Sequence, residues 1–346
     1  MKISVIGTGY VGLITGLCFS SRGHIVSCVD INEQTIKSIK AGEPPIYEEG
    51  LSELLEKELN LERFSATTQL KESIEDAEMV FVAVGTPSKT NGAIELNYIE
   101  DVSKKIGRIL RDIKKHISIV IKSTVLPTTT DTFVREIIEK ESSKKLGEFG
   151  LGMNPEFLRE GSAISDFMNP DRIVLGYEDV LTRERLKEIY ESWNCEKIFV
   201  NTRTAELIKY ANNSMLALQI SATNEIANLS EEIQNIDVAD VMKGVHLDKR
   251  WNPIFEGKRT NPGILNYLES GCGFGGSCFP KDIKALTNYS ENLGYRMNIM
   301  ENVIKVNNDQ PSRICKELEK HLNIQQSKIL ILGLSFKENT DDVRES

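Results

Sequence analysis

Short β-branched runs alternate with amphipathic stretches through the first half of the chain, the pattern of a parallel sheet flanked by helices. Strands are predicted at Lys2–Ile6, Ile25–Asp30, Met79–Gly85, Ser118–Lys122 and Leu151–Asn154, and helices over Val11–Ser21, Asn32–Ala41, Gly50–Glu58 and Tyr98–Ile113. Ile173–Gly176 and Lys197–Val200 read as further strands, joined by helical spacing over Leu181–Trp193. From Thr204 to Ile233 apolar residues recur at helical period without a proline, which predicts one helix of about 45 Å linking two lobes. Helices over Asp282–Leu293 and near Arg313–His321 lead to Lys328–Leu332, read as a buried strand that opens a further domain, truncated at Ser346. The expected division is 1–203, 204–310 and 311–346.

Composition narrows the class. With 346 residues, about two domains are expected, and 40% hydrophobic with 27% charged residues suits a folded globular chain. The formal charge of −9, from 42 basic and 51 acidic residues without a long Lys/Arg run, makes nucleic acid a poor partner. No apolar run reaches the roughly 18 residues of a membrane span. The first residues lack the zones of a signal peptide, so a cytoplasmic protein is expected. Six cysteines and four histidines show no metal-type spacing, and thiols in a reducing compartment stay unpaired, so no metal is expected.

Gly7-Thr8-Gly9-Tyr10-Val11-Gly12 is G-x-G-x-x-G between a strand and a helix. Its glycines suit a tight turn, approach of a pyrophosphate and close helix packing, although the motif alone also fits an ordinary strand-to-helix turn. Asp30, at the end of the next strand, is placed to accept a ribose hydroxyl and to repel a 2′-phosphate, which favours NAD over NADP. Ligands of such sheets sit beyond the carboxyl ends of the strands, where this chain has Gly85-Thr86-Pro87, Ser123-Thr124 and Asn154-Pro155-Glu156. Singly, each is also routine loop chemistry.

Two further constellations carry chemistry. Cys278 follows the glycine-rich run Gly273–Gly276 and precedes a helix, where backbone N–H groups and Lys281 favour a thiolate; a structural cysteine fits the same pattern, and Cys272 is assigned that role. Lys209 and Asn213, four apart on the long helix, can share one face and stabilise an oxyanion, or can be solvated surface residues. Glu156 and Glu160 fit either an acid/base pair or exposed carboxylates.

These segments, with Lys122–Val125, Asn154-Pro155-Glu156-Phe157-Leu158-Arg159-Glu160-Gly161, Asn169–Arg172, Ala205–Lys209, Gly275–Asp282 and Gly333–Lys337, resemble the UDP-glucose/GDP-mannose dehydrogenase family in order along nearly the whole chain. The resemblance implies an α/β fold: an N-terminal Rossmann-type parallel sheet, a long central helix with a helical dimerisation domain, and the truncated start of a second Rossmann-like domain. It implies oxidation of a sugar C6 alcohol to a carboxylate in two hydride transfers to NAD, through a thioester on Cys278. Catalytic roles then fall on Cys278, Lys209, Asn213, Asp282, Thr124 and Glu160, with the first proton going to Lys209 or Asp282. Cofactor contacts fall on Gly7, Gly9, Tyr10, Val11, Gly12, Asp30, Gly85, Thr86 and Thr124. Substrate contacts fall on Glu156, Phe157, Leu158, Lys209, Asn213, Gly275 and Lys337. UDP-glucose is the leading substrate, with GDP-mannose or a UDP-N-acetylhexosamine as alternatives, because the arginine that many UDP-glucose enzymes carry falls in register on Pro262, with Lys258 and Arg259 nearby. A homodimer through the central helix is expected. The competing readings are a single-step hydroxyacid-type dehydrogenase, which needs no thiol, and a catalytically silent nucleotide-binding module.

Overall fold

The computed structural model describes residues 1–338 and 340–346. Eight runs pair into one sheet: β1 (Lys2–Ile6), β2 (Ile25–Val29), β3 (Phe64–Thr67), β4 (Met79–Val82), β5 (Ser118–Ile121), β6 (Gly150–Met153), β7 (Arg172–Tyr177) and β8 (Glu196–Val200), in the order β3-β2-β1-β4-β5-β6-β7-β8. The first six strands are parallel. β7 is antiparallel to β6, with Met153 opposite Gly176, and β8 is parallel to β7. Strand order reverses between β1 and β4, so a crevice opens beyond their carboxyl ends.

The sheet belongs to the first of two compact units, residues 1–90 with 94–209; the second comprises 91–93 with 210–346. In the first unit the connections carry α1 (Tyr10–Ser21), α2 (Glu33–Lys40), α3 (Leu51–Asn60), α4 (Leu70–Asp76), α5 (Asn97–Leu110), α6 (Arg135–Ser142), α7 (Ala163–Met168) and α8 (Val180–Ile189). Alternate strand residues feed two cores: Ile3, Val5, Val26 and Phe81 pack with α1 and α3, while Ile6, Val80, Val82 and Ile119 pack with α5 and α6. Burial on both faces explains the near-continuous apolar runs. In the first core the Phe19 ring lies 5.1 Å from Phe81 and 5.4 Å from both Phe167 and Tyr190.

The long helix, α9 (Thr202–Ile233), is a single element of 32 residues. Its start sits on β7 because Gly176 has no side chain; a Cβ there would lie 2.9 Å from the Ala205 Cβ and 3.0 Å from the Thr202 Cα. The second unit adds α10 (Val238–His246), the hairpin β9 (Ile254–Phe255) and β10 (Lys258–Arg259), α11 (Phe279–Asn292) and α12 (Asn298–Glu319). Ala217, Phe274, Ile283, Met300 and Val303 form its core.

Two expectations are corrected here. α12 starts at Asn298 rather than near Arg313 and runs through Pro311. Lys328–Leu332 forms no strand: no described strand pairs with it, and Leu330 and Leu332 stay largely exposed, because an extended segment needs a neighbour to take its backbone hydrogen bonds. Among the described residues no helix is long and apolar enough to cross a membrane.

Candidate functional site

The first unit carries the glycine turn. Gly7 has φ +100°, donates its N–H to the Val29 carbonyl at 2.7 Å, and leaves no room for a side chain, since a Cβ would lie 2.7 Å from the Ala83 oxygen. A Cβ on Gly12 would lie 1.9 Å from the Gly7 oxygen, so the helix packs directly on the turn. Around Gly9, by contrast, the corresponding space is open, and no side chain caps the N-terminus of α1. Open space over uncapped N–H groups fits a pyrophosphate. Asp30 is fixed beside it: Oδ2 accepts from the Thr8 N–H at 2.9 Å and the Thr8 hydroxyl at 2.8 Å, and Oδ1 from the Asn32 N–H at 3.0 Å. A carboxylate has about four acceptor positions, so one remains for a hydroxyl. Further along the rim, the Thr86 hydroxyl donates to the Thr124 carbonyl at 2.9 Å, joining the segments after β4 and β5; Gly85 adjoins Thr86. Val11 packs partly against the first core.

Beyond β6, Glu156 is buried and pairs with the equally buried Lys209 at 3.0 Å. The exposed-carboxylate reading of Glu156 is therefore replaced by a buried ion pair. Its other oxygen accepts from the Leu158 N–H at 2.7 Å. The Lys209 ammonium also lies 5.4 Å from the Phe157 ring centre, with Arg172 at 3.9 Å from the same ring. Burial opposes charge on Glu156, but Lys209, the Leu158 N–H and Lys122 outweigh it and hold the carboxyl below its ordinary range. Lys122 is itself buried; desolvation and repulsion from Lys209 pull its ammonium down to about 8, against the attraction of Glu156. It donates to Asn154 Oδ1 at 2.9 Å, which also takes the Tyr190 hydroxyl at 2.5 Å. Lys122, Asn154, Glu156, Phe157, Arg172 and Tyr190 line a cavity of about 110 Å³.

In the second unit Cys278 occupies the residue before α11 without a side-chain capping bond, half-buried and in no disulfide, with Sγ 3.7 Å from the Ser277 hydroxyl. One turn on, Asp282 is 1% exposed. Its carboxylate accepts from Asn213 Nδ2 at 2.7 Å and from the Lys281 ammonium at 2.8 Å. Lys281, expected to favour a thiolate, is thus engaged by Asp282, while Lys209 and Asn213 serve different carboxylates. The glycine loop meets the last residues of the chain: Gly276, at φ +77°, donates its N–H to the Arg344 carbonyl at 2.9 Å, and the Phe336 ring occupies the space a Gly276 side chain would need. A Cβ on Gly275 would lie 2.2 Å from the Glu345 oxygen. Lys337 is exposed, its ammonium 5.8 Å from the Phe336 ring centre. Cys272 is exposed rather than a core residue. Arg259 donates to the Asn252 carbonyl at 3.1 Å and lines, with Lys243 and His246, a separate cavity of about 470 Å³.

Sequence reasoning missed Glu48, Asn154 and Tyr190 as organisers and noted Lys122 only within a motif. A lysine directly after the buried run Ser118–Ile121 was the available signal for Lys122. Glu48 lies in an irregular segment with no periodic cue. Tyr10 donates its hydroxyl to Glu48; burial, that bond and the Glu48 and Glu160 charges raise the phenol far above its ordinary range.

Comparison with known proteins gives matches along nearly the whole chain. Residues 1–194 match the UDP-glucose/GDP-mannose dehydrogenase family, NAD binding domain, and residues 203–309 match that family's central domain. UDP-glucose 6-dehydrogenase TuaD of Bacillus subtilis is 39% identical over 346 residues, covering 100% of this chain and 71% of that protein. GDP-mannose 6-dehydrogenase of Pseudomonas putida is 38% identical over 351 residues, covering 100% of this chain and 76% of that protein. The solved structure of a UDP-glucose dehydrogenase from Pyrobaculum islandicum superposes with a TM-score of 0.90 at 38% identity, covering 99% of this chain and 76% of that one.

Proposed function

The chain belongs to the UDP-glucose/GDP-mannose dehydrogenase family and is an NAD-dependent nucleotide-sugar dehydrogenase, and from that premise we propose that it oxidises the C6 alcohol of UDP-glucose to the carboxylate through a thioester on Cys278. The observation that carries this reading is the thiol at the start of α11, one turn before a buried carboxylate held by Asn213 and Lys281. A dehydrogenase that stopped at the aldehyde would need no such nucleophile.

NAD, when bound, supplies the two-electron acceptor for each oxidation. Gly7, Gly9 and Gly12, with the backbone of Tyr10 and Val11, hold its pyrophosphate; Asp30 takes a ribose hydroxyl, and Gly85, Thr86 and Thr124 flank it. Lys209, held as an ion pair by Glu156, is a proton donor and stabilises the oxygen that gains negative charge. Asp282 takes the proton of the C6 hydroxyl as that carbon loses two electrons and a hydrogen. The Cys278 thiolate then adds to the aldehyde carbon, forming a C–S bond and an oxyanion that receives a proton. A second oxidation of the same carbon leaves a thioester. Water, activated by Glu160 with Thr124, attacks it; the C–S bond breaks, the thiol is restored and the carboxylate leaves. Glu156, Phe157, Leu158, Asn213, Gly275 and Lys337 hold the substrate. The names of the Bacillus subtilis and Pyrobaculum islandicum relatives support UDP-glucose as the sugar nucleotide.

We further assign a homodimer to the exposed apolar positions Met215, Ile226, Leu229 and Ile233 of α9. The deciding experiment offers UDP-glucose, GDP-mannose and UDP-N-acetylhexosamines with NAD and counts NADH per sugar. Two NADH and a uronate from UDP-glucose are expected; one NADH per sugar would remove the thioester, and turnover of GDP-mannose alone would reassign the substrate.

A further inference from the structure

Glu48 is 6% exposed, yet it lies in an irregular segment between α2 and α3. Its Oε1 accepts the Ala163 N–H at 2.7 Å. Its Oε2 accepts the Gly161 N–H at 2.9 Å and the Tyr10 hydroxyl, and Gly161 and Tyr10 are themselves 3.3 Å apart. Three donors from two distant segments converge on one carboxylate. Tyr10 opens α1, directly after Gly9. Gly161 and Ala163 close the loop that carries Glu156 and Glu160, and residues 154–162 of that loop form no helix or strand.

We propose that Glu48 is a positioning residue for the reaction: it locks the Glu156–Glu160 loop to the turn that receives the cofactor. The proposal rests on the function given above for that loop, while the lock itself does not depend on it. The chemistry requires a carboxylate. A backbone N–H donates to each oxygen, so both must accept; a glutamine would keep the volume but turn an NH₂ toward the N–H of Gly161 or of Ala163. Glu156 and Arg159 already tie the loop to Lys209 and Asp166, but at its far end Gly161 sits at φ +85°, and Ala163 is the first residue of α7, whose N-cap Ser162 makes no side-chain cap. Glu48 supplies that cap from elsewhere in the chain. Release of the loop would displace Glu156 and Glu160 by a fraction of an ångström or more, and a misplacement of about 1 Å can cost around a hundredfold in rate.

The test compares Glu48→Gln with the unmodified protein and with Glu49→Gln, an exposed neighbour that should change nothing. Hydrogen exchange of the peptide covering residues 157–165 should accelerate at least tenfold in Glu48→Gln. Its kcat with saturating NAD and UDP-glucose should fall about 10- to 100-fold, while the dissociation constant for NAD stays within about threefold and the melting temperature holds. Unchanged exchange would remove the lock. Faster exchange with unchanged kcat would remove the positioning role. Joint collapse of kcat, NAD binding and melting temperature would make Glu48 a fold element and overturn the proposal. If the unmodified protein oxidises no nucleotide-sugar, the function above fails and the exchange result alone decides the lock.

Discussion

The side-chain amide of Asn213 donates to the Asp282 carboxylate at 2.7 Å, and both groups are withdrawn from solvent. A hydrogen bond to a buried charge contributes about 1.5–3 kcal/mol. Asn213→Leu should lower unfolding stability in urea by that order and reduce turnover about a hundredfold. An unchanged urea midpoint would show that Asp282 does not depend on this amide.

Cys278→Ala should abolish uronate formation and leave, at most, slow interconversion of alcohol and aldehyde. Cys272→Ala, on an exposed thiol of the same loop, should keep both oxidations. Products are identified by mass spectrometry with NADH counted per sugar. Uronate from Cys278→Ala at an undiminished rate would eliminate the covalent step.

NAD should bind much more tightly than NADP, because Asp30 would face a 2′-phosphate dianion at short range. Asp30→Ala should narrow the gap by at least tenfold and also weaken NAD itself, since Thr8 loses both of its bonds to the carboxylate. Calorimetric titration of both cofactors reads this directly; equal affinities for the unmodified protein would refute the assignment.

Stability should fall as pH rises from about 4.5 to 8. Burial lifts the Glu206 carboxyl to about 8, against the bonds it accepts from Thr130, so the folded state binds a proton that the unfolded state has already released. Protonated Glu206 is tolerated fully below the unfolded value, and the advantage disappears through the folded one. The loss is a few kcal/mol by order of magnitude. Glu206→Gln should flatten that part of a stability-against-pH curve measured by chemical unfolding; an unaltered slope would place the titration elsewhere.

Lys122 should impose the opposite slope. Its folded value near 8 lies below the ordinary lysine range, so the unfolded state holds the proton more tightly and stability should rise with pH between about 8 and 10.5. Lys122→Met should lose this rise when unfolding is followed across that window. A rise that survives the substitution would clear Lys122 of responsibility.

The glycine turn after the first strand was legible because its requirements are local. Gly7 and Gly12 answer to contacts within a few residues or across adjacent strands, and a carboxylate such as Asp30 at the end of the second strand follows from the repeat length of the strand–helix unit. The place of Cys278 at a helix start was legible for the same reason, since it is written in the neighbouring residues. What failed depended on partners. Lys328–Leu332 has strand composition, but composition does not provide a neighbour. Phe64–Thr67 is too short for an alternating pattern to register. Glu48 and Asn154 gain their roles from groups brought together by the fold, Gly161 more than a hundred residues from one and Tyr190 thirty-six from the other. Burial of Glu156 was invisible for the same reason: a glutamate in a loop gives no sign of a lysine 53 positions away.

Gly176 has a further consequence. Ala205 rests on it, and Lys209 follows Ala205 by four residues, so it lies one turn along on the same face. The helix therefore acts as a ruler with its zero mark pressed against β7. Deleting one residue between Ala205 and Lys209 would turn the ammonium by about 100° and retract it by about 1.5 Å. Adding a methyl group at Gly176 would instead shift the zero mark and misread the whole scale. The tolerance of the ion pair with Glu156 is thus set by a hydrogen atom on a strand that takes no part in the chemistry.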